Sequence, residues 1–138
     1  LFSKEFYALV HERLKPEGIL QQWIMEPIDP TTLSAFLRSL RESFPHIRVF
    51  GSIEGWGLHC LASRRPFPDR GAQALTAQLP REARADLVEW TPGTPAHHFF
   101  RDTLALTSLD LNELESSINA LSLGLAEYGR ELLAYARQ

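Results

Sequence analysis

A chain of 138 residues has the size of one ordinary domain, long enough to bury a single core. Its 44% hydrophobic and 22% charged residues exclude wholesale disorder, and a formal net charge of -3 without a basic stripe argues against a nucleic-acid partner. Cys60, the one cysteine, excludes an internal disulfide framework, and no apolar run approaches the roughly 20 residues needed to cross a bilayer.

The first element predicted is a helix. Ser3 serves as N-cap, and Phe2, Phe6, Val10 and Leu14 recur on one face until Pro16 and Gly18 stop the run. Ile19 to Ile24, "ILQQWI", is short, apolar and bounded by turn residues, as a mostly buried strand is. Asp29-Pro30 reads as N-cap and first helical position of a second helix. Leu33, Phe36, Leu37, Leu40 and Phe44 follow at helical spacing, and Pro45 ends it.

"HIRVFG" (His46 to Gly51) and "GLHCLAS" (Gly57 to Ser63) are two more strands. The strands on either side of the second helix are expected to be parallel, with a right-handed crossover; the third is expected antiparallel, as a hairpin partner of the second. From Pro66 the pattern is helical: "GAQALTAQL", "PREARADLV" and "HHFFRDTLAL" are short helices, the last two separated by the turn-rich "EWTPGTP". Leu111, Leu114, Ile118, Leu121, Leu125, Tyr128, Leu132 and Tyr135 alternate spacings of three and four, a sustained heptad seam. Such a seam covers either its own domain or a helix of another chain.

Ligands of an open α/β sheet lie beyond the carboxyl ends of its parallel strands. The loops there, "WIMEPID" and "GSIEGWG", bring forward Trp23, Glu26, Glu54 and Trp56. Aromatic walls with carboxylates suit a cationic amine; packed tryptophans and solvated glutamates are the plainer reading. No metal site is expected, because His97 and His98 diverge on a helix and His59 and Cys60 face opposite sides of a strand. No phosphate-binding glycine loop and no nucleophile elbow is present, and Cys60 sits mid-strand in an apolar run, where a thiol is inert.

"LFSKEFYALVHERLKPEGIL", "QQWI", "RESFPHIRVF" and "GWGLHCLAS" together resemble spermidine synthase-like proteins over roughly Leu1 to Ser63. The resemblance implies an α/β fold: a partial Rossmann-like methyltransferase sheet of about three strands, the last antiparallel, followed by a helical tail. Its boundaries are residues 1–65 for the half-fold and 66–138 for a helical extension packed on it. It also implies that the nucleotide-binding loop and catalytic aspartate precede Leu1. No catalytic residue is therefore expected here, only a vestigial acceptor pocket of Gln22, Trp23, Glu26, Glu54 and Trp56. Trp23 stands where such synthases carry a diamine-holding glutamine, and "GSIEG" replaces a tyrosine-containing loop, which puts putrescine as substrate in doubt.

The expected function is then a fragment of an aminopropyl transferase, inactive alone. Decarboxylated S-adenosylmethionine or S-adenosylmethionine is implied for the complete family member, and no cofactor for this chain. The alternative is a non-catalytic binding or assembly module, a homodimer through its sheet edge or its C-terminal heptad helix. A third reading, an enzyme using Glu26 and Glu54 as an acid/base pair, rests on two loop carboxylates alone. A cytoplasmic location and either a second copy or a missing N-terminal half as partner complete the expectations.

Overall fold

A computed structural model describes residues 3–25 and 28–136, and their side chains except at 128–129 and 131–136. Helix α1 (Lys4–Arg13) begins where the Ser3 hydroxyl accepts the Phe6 N–H at 3.3 Å; Glu5 in its first turn and Arg13 in its last suit the helix dipole. Phe2, the first member of its expected stripe, lies outside the described residues. Strand β1 (Ile19–Met25) follows, then α2 (Pro30–Ser43). The Asp29 carboxylate accepts the Thr32 N–H at 2.8 Å, which caps α2 and holds that carboxyl below its ordinary range.

Strands β2 (His46–Gly51) and β3 (Gly57–Ser63) are joined by a turn in which Gly55 takes a φ of +72°, a conformation glycine adopts without steric cost. Helices α3 (Ala72–Gln78), α4 (Arg81–Leu87) and α5 (Ala96–Thr107) lead to a two-residue strand, β4 (Ser108–Leu109), and to the 26-residue α6 (Leu111–Ala136).

The described residues thus form six helices and one open four-stranded sheet in the order β1-β3-β2-β4. Every neighbouring pair is antiparallel. The expected β2–β3 hairpin is present, with Val49 opposite Cys60. β1 and β2 run the same way but are not neighbours, because β3 pairs with both. The count of about three strands is corrected to four: β4 is too short to carry a period-2 pattern, and only its bridges from Leu109 to Val49 and Ser108 to Phe50 define it.

One face of the sheet carries the core. Ile24, Val49, Leu58, Cys60 and Ala62 pack against Tyr7 of α1, Leu33, Phe36, Leu37 and Leu40 of α2, and Ile118 of α6. Burial pushes the Cys60 thiol up to about 12, so it is an apolar filler rather than a nucleophile. The Tyr7 hydroxyl is buried there without a hydrogen-bond partner. The opposite face, where Gln21, Trp23, Arg48, Phe50, His59 and Leu61 alternate with the core residues, is partly covered by α5 and by Phe67, over which the Arg48 guanidinium stacks at 5.4 Å.

Candidate functional site

The pleat separates the expected pocket residues. Trp23 lies on the sheet face away from the core; Gln22, its neighbour, points to the core side and donates from Nε2 to the Trp23 carbonyl at 3.1 Å. Glu54 lies in the β2–β3 turn, exposed, and Trp56 beside it is 68% exposed. Glu26 lies outside the described residues. Trp23, Glu54 and Trp56 therefore share the end of the sheet where β1 and β2 finish and β3 begins, and Gln22 looks the other way.

Three residues that motif reading passes over join Trp23 there. The cross-strand register sets His59 opposite Trp23 on one side and Phe50 on the other. The His59 ring lies 3.0 Å from the Gln21 amide through Nδ1 and 3.3 Å from the Ser52 hydroxyl through Nε2, and the Trp23 indole N–H donates to the same hydroxyl at 3.4 Å. With the Gln21 Nε2 donating to Nδ1, the imidazole proton sits on Nε2 and points at Ser52. The Ser52 oxygen then accepts from both rings. A nucleophile–base pair needs the reverse, an imidazole lone pair facing the hydroxyl proton. The arrangement fastens the turn to the sheet rather than activating Ser52. The signal for it was period-2 alternation, which puts Gln21 and Trp23 on one face, together with a register that only the fold supplies.

Beside this cluster is an open cleft of about 520 Å3 between the sheet and α5, lined by Phe50, Leu61, Phe99, Phe100 and Leu104, with Glu54 and His59 among its polar groups. No group of three or more His, Cys, Asp or Glu placed to hold a metal ion occurs among the described residues.

A second feature lies on the opposite side of the molecule's sheet. The Asp110 carboxylate caps α6, accepting the Asn112 and Glu113 N–H groups at 2.8 and 3.0 Å. Leu111, Leu114 and Ile118 then pack on the core, and Arg41 of α2 pairs with Glu115 and donates to Asn112. Past Ile118 the same seam continues but no described residue covers it: Leu121 and Leu125 are each 60% exposed, and Leu123 is exposed beside them. The remaining seam positions, Tyr128, Leu132 and Tyr135, lie where side chains are not described.

A family model described as CesT_Tir_1 matches residues 94–138, the stretch that holds α5, β4 and α6. No curated protein and no solved structure matches the chain. This finding corrects the resemblance to spermidine synthase-like proteins: the family matched is a different one, and a chaperone-like secretion-system family in place of polyamine biosynthesis. The expected aminopropyl transferase fragment falls with it, and the cofactor implied by that resemblance loses its basis. The match lies in the segment after Pro66, where no motif had placed the chain.

No helix among the described residues is long and apolar enough to cross a membrane.

Proposed function

We propose that this chain is a non-catalytic binding and assembly module, with residues 1–65 and the helical extension 66–138 packed on them as its body, and with α6 beyond Ile118 as an arm that engages another polypeptide. The observation that carries the reading is the α6 seam. Its first half is consumed by the core, and its second half presents Leu121 and Leu125 to solvent at unchanged spacing. Covering what remains exposed of each leucine is favourable by roughly 1–2 kcal/mol, a gain that no described residue of the chain supplies. The chaperone-like family match, which includes the arm, supports a polypeptide as that partner. Trp23, Glu54 and Trp56 at the sheet end would receive a cationic side chain of the same partner.

The open sheet, in which β1 and β2 run the same way on either side of β3, reads in this proposal as Rossmann-like in kind. The location proposed is the cytoplasm, where a single reduced thiol such as Cys60 is at home.

The test is a light-scattering assay with reduced α-lactalbumin as an unfolded client. The chain is expected to suppress client aggregation in proportion to its concentration, and Leu121→Glu with Leu125→Glu to abolish the effect while leaving the far-UV spectrum unchanged. Equal suppression by the wild type and the double variant would contradict the role of the arm.

A further inference from the structure

Helix α5 covers only part of the sheet face that lies away from the core. Its main packing on the sheet is against β2, and the cleft of about 520 Å3 opens beside it, over β3. Small-molecule sites have volumes of roughly 300–1,000 Å3, so this one is of ordinary size. Its floor is Leu61 of β3 with Phe50 of β2, and its wall is Phe99, Phe100 and Leu104 of α5. The Phe99 and Phe100 rings stand edge to face, with centroids 5.9 Å apart. Such a lining favours a flat aromatic group, which can meet a ring edge and lie on a leucine.

The polar groups of the cleft are few, and most are already engaged. The His59 ring uses both nitrogens, on Gln21 and Ser52, at 3.0 and 3.3 Å. The Thr107 hydroxyl is turned back to the Thr103 carbonyl at 2.7 Å. Glu54, in the β2–β3 turn at one end, is the one carboxylate of the lining, and no lysine or arginine lines the cleft with it. It enters no ion pair among the described residues. The cleft therefore carries a single uncompensated negative charge at one end of an apolar trough. That charge attracts one cation and repels anions.

The strand beneath the cleft decides between a small molecule and a length of polypeptide. β3 is paired on both sides, with β1 and with β2, so its backbone groups are already bonded. An extended peptide laid over it would set its own N–H and C=O groups against leucine and phenylalanine, at a desolvation cost. A molecule whose polar atoms sit at one end meets no such cost. We propose that the cleft binds a small aromatic monoamine. The ring lies between Leu61 and the α5 phenylalanines, and the ammonium group sits at Glu54. The inference goes beyond the polypeptide reading and makes no use of the arm. It shares Glu54 with that reading, so a partner's cationic side chain and the free amine exclude one another there.

Three probes that share one ring system test it: naphthylethylamine, the neutral naphthylethanol, and the anionic naphthylacetate. Amide NMR titration of the chain reads affinity and place together. The amine is expected to bind saturably and to shift the amides of residues 50–54, 59–61 and 99–107. The alcohol is expected to bind about fivefold more weakly, the worth of a partly exposed ion pair, and the acetate more weakly still. Glu54→Gln changes an exposed turn residue, so the fold is not at stake. It is expected to remove the preference for the amine and to leave the alcohol's affinity unchanged. Thr103→Trp fills the cleft from α5 and is expected to abolish binding of all three probes. Leu121→Glu with Leu125→Glu is expected to bind the amine as the wild type does, which separates the cleft from the arm. No saturable shift with the amine, equal affinity for amine and alcohol, or a preference that survives Glu54→Gln would each overturn the site. Undiminished binding to a folded Thr103→Trp variant would do the same.

Discussion

Tyr7 and Cys60 show what the core asks of single residues. Both are fully buried, and burial pushes both of their ionisations upward, for Cys60 to about 12. The Tyr7 ring is held edge-on to Phe6 and Phe36, with centroids 5.2 and 6.1 Å away. Its hydroxyl adds a desolvation cost with no bond to offset it. Tyr7→Phe keeps the ring and removes the cost. It is expected to raise the unfolding free energy by about 1 kcal/mol, read as a higher urea midpoint at constant slope. A lower midpoint would show that the hydroxyl has a partner after all. The inertness of Cys60 was legible in the sequence, because an apolar run around a cysteine is a local signal. The Trp23–Ser52–His59–Gln21 contacts were not. They depend on Trp23 pairing with His59 across a strand register, and register is set by the whole sheet.

Among the elements, α1, β1, α2, β2 and β3 were legible because each carries its own period and its own start or stop signals: Ser3 and Asp29 as N-caps, Pro45 and the glycines of the β2–β3 turn as breaks. The antiparallel β2–β3 pairing followed from a connection too short for a crossover. What the sequence does not encode locally is that β3 inserts between β1 and β2, a choice made by the core they share. The seam of α6 was equally plain, but a heptad pattern is the same whether it meets its own core or another chain. The structure divides it at Ile118, where the core ends. Gly124 lies in the uncovered part, where an added Cβ would meet no atom within 4 Å. Gly124→Ala is therefore expected to stabilise that part of the helix by about 1 kcal/mol. Circular dichroism at 222 nm should show a steeper helical signal at high temperature; an unchanged melting profile would mean that the arm's helicity is already fixed by contacts.

At the scale of the molecule, a half-covered sheet and a half-covered helix leave two surfaces of different chemistry. The β1 edge offers backbone donors and acceptors, and the arm offers leucines. The uncovered helix has little tertiary packing to hold it, and a helical segment of that length is marginal in water. Its amides should open readily in the free chain and close when a partner lies on Leu121 and Leu125. Amide hydrogen exchange with and without reduced α-lactalbumin measures this directly. Residues 119–127 are expected to exchange far faster than 112–118 in the free chain, and to slow at least tenfold when the client is added, while 112–118 stay as they were. Exchange across 119–127 that is the same with and without the client would contradict a binding role for the arm.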